Sequence, residues 1–420
     1  MKQKKKPILL DGRTGEGGGQ VIRIACSLSA LLSQPIRINH VRGNRPGQRG
    51  GGLKAQHVAA IRWLAEATGA EVNGLEVGSQ SLEFSPLQPP TSLRKRKFEI
   101  VAGSSASSTL LVFQAIFPFL LFAGNDTGEP IELEIHGGTN VSFSLSYEYF
   151  DQILLPTLKD HFGITIERQL KKRSWATGPL KSGCIWLRFQ PLLPGETLKV
   201  QERWDRPITM EDFKIKQVDV RMLVPHALRE PLEKALASHI DKLFPSVDIK
   251  FVLMEDSGHD ARMYTLLVAH SHTGLRWGRD YLYDKSRKSK TPEVLGAEIS
   301  RKVCNDLFDE IMVRGAVDEY LQDQLVVFQA LADGRTSFPR GTKPGDIEIS
   351  GTNDISHQEA SLEDLTLDNK MRKDKTDEPF GYGSMHTTTA RWVASELLPR
   401  AQWFNKGAVV DGVGLSFPHS

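Results

Sequence analysis

Cysteine is scarce. The 420 residues hold three, Cys26, Cys184 and Cys304, which are odd in number and far apart, with no Cys-x-x-Cys pair. That pattern excludes a disulfide framework, argues against a zinc cluster, and suits a reducing, intracellular compartment. Long apolar runs are also missing. The longest, Leu110 to Ala123, is broken by Gln114 and Pro118, whereas a membrane-spanning helix needs about 20 apolar residues. No membrane span is expected. An excess of one charge sign is absent too: 53 Lys and Arg face 51 Asp and Glu, a net charge of +2. Any nucleic-acid contact must therefore come from local basic patches. The Lys-rich start, Lys2 to Lys6, has no apolar stretch behind it before Asp11. It reads as a short basic tail rather than a secretory signal.

What remains is a folding chain, with 40% hydrophobic and 25% charged residues, too apolar for disorder. Its length predicts two or three folding units. Short strands and helices alternate over the first 150 residues. Pro7 to Leu10 reads as a strand, Gln20 to Leu32 as a helix, Ile36 to Val41 as a strand and Lys54 to Thr68 as a helix stopped by Gly69. Leu82 to Phe84 and Glu99 to Ala102 are strands, and Ser107 to Phe122 is a buried helix. The order is mixed α/β with a suspected internal repeat.

From 187 to 284 the pattern changes. Four strand-like stretches (Thr197 to Val200, Phe213 to Leu223, Ile249 to Val252, Tyr264 to Ala269) surround a helix, Leu228 to Leu243. This is expected to be a separate inserted α/β domain, with 1–186 and 285–420 forming the core domain. Helices are predicted over Pro292 to Phe308, Val317 to Ala332 and Thr387 to Leu398. Residues 345–380 form an expected mobile acidic loop, whose part from Gly345 to Leu367 has no Lys or Arg.

Four places could carry chemistry. The stretch from Asp11 to Gln20, with Glu16 beside Gly17, Gly18 and Gly19, lies between a strand and a helix. It reads either as a phosphate-holding loop or as a tight turn, and the carboxylate of Glu16 favours a metal ion bridging to phosphate. Arg42, Arg45 and Arg49 sit in a glycine-rich loop followed by Lys54, Gln56 and His57. Arginine forks suit phosphate oxygens, and a solvated loop is the other reading. On the helix from Val317, the apolar stripe Val317, Leu321, Leu325, Phe328 adjoins a face carrying Tyr320, Asp323 and Gln324. That face could stack on and hydrogen-bond a nucleotide, or simply meet solvent. His386 precedes three threonines at a helix start. There the helix dipole favours an anion, and a neutral imidazole is a competent nucleophile towards phosphorus.

Read in order, DGRTGEGGGQVIR from Asp11, the loop ending LKAQH, EVGSQSLEFSP from Glu76, the Ser104 to Gln114 helix, HGGTN from His136, VDEYLQDQL from Val317 and MHTTTA from Met385 resemble the RNA 3'-terminal phosphate cyclase family, in its histidine-containing, catalytic branch. The resemblance implies three repeated βαβαββ-type units with a smaller α/β domain inserted in the third. It also implies a reaction. ATP adenylates a histidine, AMP passes to an RNA 3'-phosphate, and the neighbouring 2'-OH closes a 2',3'-cyclic phosphate. By position, His386 is the nucleophile. Gln114, Tyr320, Asp323 and Gln324 line the nucleotide pocket, Arg42 and Arg45 face phosphates, and Glu16 holds a divalent metal, Mg or Mn. The implied partner is RNA with a 3'-phosphate end, and the nucleus is the expected compartment ahead of the cytoplasm.

The chain departs from the family at three places, one being the acidic loop from Gly345, which is longer than the family needs. Residues 173–183, RSWATGPLKSG, lack the family's glycine triplet, and Leu145 stands where the family has proline. Two other readings compete. One is the non-catalytic, cyclase-like branch that serves ribosomal RNA processing and lacks the histidine, so His386 speaks against it. The other is a plain RNA-binding protein using the Arg94 to Lys97 cluster and the Lys285 to Lys290 stretch for backbone contacts.

Overall fold

The computed structural model describes residues 5–45, 50–201, 208–285, 290–341 and 381–418. Arg49 and the expected acidic loop over 345–380 lie outside the described residues.

The first unit runs β1 (Ile8–Asp11), α1 (Gly19–Leu32), β2 (Ile36–Asn39), α2 (Ala55–Thr68), β3 (Glu71–Asn73), β4 (Leu82–Ser85). Its strands lie in the order β1-β2-β4-β3, parallel between β1 and β2 and antiparallel elsewhere. Gly69 ends α2 in the left-handed region, φ +61, as the sequence suggested. The second unit runs β5 (Lys97–Val101), α3 (Thr109–Leu121), β6 (Ile131–Gly137), α4 (Tyr147–Tyr149), α5 (Leu155–Phe162), β7 (Ile166–Lys172), β8 (Gly183–Phe189). Its sheet, β5-β6-β8-β7, repeats the first in order and sense.

The inserted unit comprises β9 (Ile215–Val224), α6 (His226–Leu243), β10 (Asp248–Asp256), β11 (Tyr264–Ser271), β12 (Arg276–Leu282) and α7 (Pro292–Met312). The chain then continues with α8 (Glu319–Leu331), β13 (Arg335–Ser337), α9 (Met385–Leu397), β14 (Gln402–Phe404) and β15 (Val409–Asp411). These last strands lie in the order β13-β15-β14. A parallel bridge from Lys199 to Asp333, with Asp333 N–H donating to Leu198 O at 2.7 Å, adds the stretch around 198–199 beside this sheet. Thr197 to Val200, expected as a strand of the insert, forms no regular strand and instead makes this isolated bridge just ahead of β13.

Two apolar clusters explain the layout. The larger joins the first, second and third sheets and includes Leu10, Leu28, Phe117, Ile135, Leu325 and Val410; the third sheet, three strands all antiparallel, does not repeat the order of the first two. The second runs from Val218 to Ile311 and holds α6 and α7 against the inserted sheet. The boundary expected at 187 falls inside β8, where Leu187 is buried, and the one expected at 284 falls in the loop after β12, although α7 beyond it also packs with the insert. Such limits escape a composition reading because the polar face of α7 resembles that of any surface helix. β11 is buried on both faces, with Leu266 and Val268 in one cluster and Leu267 and Ala269 in the other. It is the seam between insert and core. β6 instead alternates, with Ile131, Leu133 and Ile135 inward and Glu132, Glu134 and His136 outward.

Candidate active site

The site forms where the N-terminal ends of α1, α8 and α9 approach one another. The glycine loop before α1 lets side chains crowd in: a Cβ at Gly19 would lie 2.5 Å from Arg23 Nη1 and 2.8 Å from His57 Nε2. Gly17 sits at φ +58, where a side chain would also meet Asn44. The helix carrying His386 starts earlier than its sequence suggests. Ser384, not the histidine, is the cap, its Oγ accepting from Thr387 N–H at 3.2 Å. His386 is therefore a first-turn residue, its side chain 50% exposed.

Its Nδ1 stands 3.5 Å from Glu16 Oε2. The other oxygen of Glu16 pairs with Arg45, and its backbone N–H donates to Thr389 Oγ1 at 3.0 Å, tying the glycine loop to α9. Glu16 Oε2 is buried and makes no hydrogen bond. An orphaned carboxylate oxygen beside a nucleophile candidate fits a bound cation.

A continuous polar chain crosses three helices behind this point. Arg23 Nε donates to Gln114 Oε1 at 2.6 Å and Arg23 Nη2 to Gln20 Oε1 at 2.6 Å. Gln20 Nε2 then donates to Asp323 Oδ2 at 2.9 Å, and Gln324 Nε2 donates to the same oxygen at 2.9 Å. Asp323, read from sequence as a face that could simply meet solvent, is 7% exposed because α1 covers it. Burial pushes its carboxyl up, against the pull of His386, Gln324 and Arg23. Burial likewise moves the His386 imidazole down, opposed by Asp323 and reinforced by Arg23 and Arg45. Both directions favour a neutral imidazole, the form with a lone pair to give.

A cavity of about 510 Å³ opens here, and Gln114, Tyr320, Asp323, Gln324 and His386 all line it. Its wall also includes Leu145, the residue found in place of the family's proline. Tyr320 is set by the start of α8. The buried Asp318 caps that helix, accepting from the N–H groups of Tyr320 and Leu321 at 3.1 and 3.0 Å. The Arg279 guanidinium lies 4.3 Å from the centre of the Tyr320 ring. The insert thus supplies part of the tyrosine's support.

Glu16, Arg42 and Arg45 are outside the cavity wall. Arg45 joins Glu16 and His386, but Arg42 Nη1 donates to Gly50 O and Gly52 O at 2.7 and 3.3 Å, tying its own loop. Two residues outside the predicted site set are central: Arg23, which sequence reasoning passed over, and His57, which it named only as following the arginine loop. Arg23 is buried, which lowers its pKa to about 10 despite Asp323. His57 accepts from Lys54 N–H at Nδ1, 3.1 Å, leaving a buried Nε2 donor with no hydrogen-bond partner. Burial, then Arg23, Arg42 and Lys54, hold its pKa well below the usual value. Neutral donors and a buried cation around one point suit an anion. The signal for Arg23 was present: it is the single charged residue of α1, among apolar and small neighbours.

A sequence profile described as RNA 3'-terminal phosphate cyclase matches residues 14–350. The chain belongs to the RNA 3'-terminal phosphate cyclase family. The protein of that name from Pyrococcus furiosus is 30% identical over 338 residues, 80% of this chain and 89% of its own length. Those from Drosophila melanogaster (30% over 344 residues, 80% and 87%) and Methanopyrus kandleri (32% over 341 residues, 79% and 87%) are similar to the same extent. The matched profile stops before His386. In this cyclase family member the stretch 173–183 is anchored at its start and exposed over 178–181. Trp175 is buried and bridges to Asn140, Ala176 N–H donates to Asn140 O at 3.0 Å, and Arg262 of the insert donates to Pro179 O at 2.9 Å.

Proposed function

We propose that this protein converts an RNA 3'-phosphate end to a 2',3'-cyclic phosphate, using ATP and a histidine–AMP intermediate on His386. The observation that carries the reading is the convergence of His386, Glu16 and the Gln114–Arg23–Gln20–Asp323 chain at one end of a nucleotide-sized cavity. With Nδ1 facing Glu16, Nε2 is the ring nitrogen left for phosphorus. It attacks the α-phosphorus of ATP, the bond to the β-phosphate oxygen breaks, and pyrophosphate leaves. AMP then passes to the RNA 3'-phosphate. The 2'-hydroxyl attacks that activated phosphorus, gives up its proton, and expels AMP. Arg23, Arg45 and the His57 Nε2 donor offset charge on phosphate oxygens, and Tyr320 offers a ring for stacking. A divalent metal, Mg or Mn, held by Glu16 would supply further charge neutralisation.

Incubation with α-labelled ATP and a divalent metal tests this. The protein should acquire AMP through an acid-labile, base-stable bond, and RNA 3'-phosphate ends should cyclise. His386→Ala should lose both while melting within about 2 °C of the parent, since a half-exposed first-turn residue contributes little packing. Retained label in the variant removes His386 from the mechanism. No label in the parent protein would favour the non-catalytic, ribosomal RNA processing reading.

A further inference from the structure

A second cluster of reactive side chains lies on the outward face of the second sheet, formed by residues the cyclisation does not use. Strand alternation and register assemble it. His136 and Glu134 are the two outward positions at the end of β6. Cys184 of β8 is directly opposite His136, and Glu99 of β5 is opposite Glu134. Four potential ligands from three strands therefore share one patch, though those on different strands are 35 to 85 residues apart along the chain. Short-range spacing could not reveal this, which is why three isolated cysteines argued against a zinc cluster.

The distances are those of a coordination shell. Cys184 Sγ is 3.2 Å from Glu134 Oε1 and 4.0 Å from His136 Nε2. His136 Nε2 is 3.3 Å from Glu134 Oε1 and 3.2 Å from Glu99 Oε1. A tetrahedron with Zn–N and Zn–O near 2.05 Å and Zn–S near 2.3 Å has ligand-to-ligand edges of about 3.3 Å, or about 3.6 Å where sulfur takes part. The two N–O edges match, and the two sulfur edges bracket the ideal value. A ring nitrogen carries at most one proton, yet two carboxylate oxygens and a thiol surround Nε2. The thiol donates to Glu134 Oε1, and the single Nε2 proton can serve only one of the two carboxylates, so no hydrogen-bond pattern draws all the groups to one point. A cation at their centre does.

We infer that Glu134, His136 and Cys184 form a binding site for a zinc-like divalent ion, with the fourth position open to water or to Glu99, which reaches His136 from the edge of the group. Thiolate and imidazole select Zn²⁺ over the hard Mg²⁺ that suits Glu16. Lys171 pairs with Glu134 Oε2, leaving Oε1 turned to the cluster, and so orients the carboxylate from outside the ligand shell. Glu99 is the most exposed of the four, at 72%, and is the ligand water would replace most readily. Binding releases the Cys184 thiol proton to solvent and links β5, β6 and β8 at the point where β6 leads into the cavity-wall loop.

The test uses the full chain, stripped with a chelator and titrated with Co²⁺ and then Zn²⁺. One equivalent of Co²⁺ should give the near-ultraviolet thiolate-to-cobalt band and tetrahedral visible bands, and Zn²⁺ should displace it. Cys184→Ser should abolish the thiolate band, and His136→Ala should weaken Zn²⁺ affinity at least tenfold in chelator competition. Lys171→Met should weaken it less, and Glu16→Gln should leave the band intact, separating this site from the one beside His386. Circular dichroism identifies any variant that fails to fold; Glu99→Gln, a surface change, then provides a second reading, with weakened affinity expected. No thiolate band in the folded parent, or an unchanged band in Cys184→Ser, overturns the inference.

Discussion

Asp323 is where burial, hydrogen bonding and the candidate nucleophile meet, and two substitutions separate its contributions. Its Oδ2 accepts from Gln20 and Gln324, each at 2.9 Å. Asp323→Leu keeps the approximate volume but removes both acceptors. Gln324 is half-buried and can turn to water, whereas the Gln20 amide is buried and cannot. One orphaned buried donor costs about 1–3 kcal/mol. Loss of the negative partner of buried Arg23 adds to that, and release of a desolvated carboxyl offsets part of it. A net loss of about 2 kcal/mol, at an unfolding entropy of about 2.1 cal/mol/K per residue, should lower the melting temperature of the 420-residue chain by about 2–3 °C. Asp323→Asn retains an acceptor oxygen and should cost less than half as much.

The charge effect should appear in both variants. Asp323 raises the His386 pKa against the lowering by burial and the two arginines. Removing the carboxylate must therefore lower that pKa further. Self-adenylation needs the neutral imidazole, so it is lost as pH falls through this pKa, and the acidic limb of the pH–rate profile should move to lower pH. The assay is single-turnover labelling with α-labelled ATP across pH, each variant scaled to its own plateau so that weaker nucleotide binding does not enter. A limb that stays in place, or moves to higher pH, in Asp323→Asn would refute the coupling.

The buried ion cluster at the insert's junction with the core should be more sensitive. Glu310, fully buried, pairs with Arg279 and Arg340, so Glu310→Gln should cost about 3–5 kcal/mol in a denaturant titration by leaving two guanidinium groups underpaired. An unchanged midpoint would show that the arginines find other acceptors. Phe117 is fully buried and packs against Phe113, Phe189 and Phe328. Phe117→Ala should cost about 3–5 kcal/mol by the same measurement, with no change in the pH profile of labelling. Glu16→Gln should raise the metal concentration that half-saturates labelling by at least tenfold while barely moving the melting temperature. An unaltered metal dependence would place the cation elsewhere.

Several elements were legible because their causes are local. Gly69 stops α2 for want of a Cβ, α8 shows its buried stripe in the spacing of Leu321, Leu325 and Phe328, and the order of motifs announced the family. Gln114, Tyr320, Asp323, Gln324 and His386 were all named before they were seen to line one cavity. Other features depend on what packs against a residue. Arg42 and Arg45 lie in the same loop, yet one binds its own backbone carbonyls and the other reaches Glu16, a difference set by loop conformation. Ser384 rather than His386 caps α9 because capping depends on backbone angles just ahead of the helix. Asp323 is buried only because α1 lies across it, and Arg23 matters only because Gln114 and Gln20 come from elsewhere in the fold to meet it.

The sharpest division is between residues that act through spacing along the chain and residues that act through strand register. By itself the sequence determined the period of each helix and strand, the glycine positions where a side chain cannot fit, and the ordered motifs of a cyclase. Only the tertiary structure decided that α7 belongs with the insert, that 197–200 makes an isolated bridge just ahead of β13, and that Glu99, Glu134, His136 and Cys184 share a face. The physical reason is the same in each case. Hydrogen bonds within a helix join residues four apart, so their pattern is written locally, whereas sheet pairing and burial join residues at any separation. Which distant partners meet is settled by the free energy of the whole packed core.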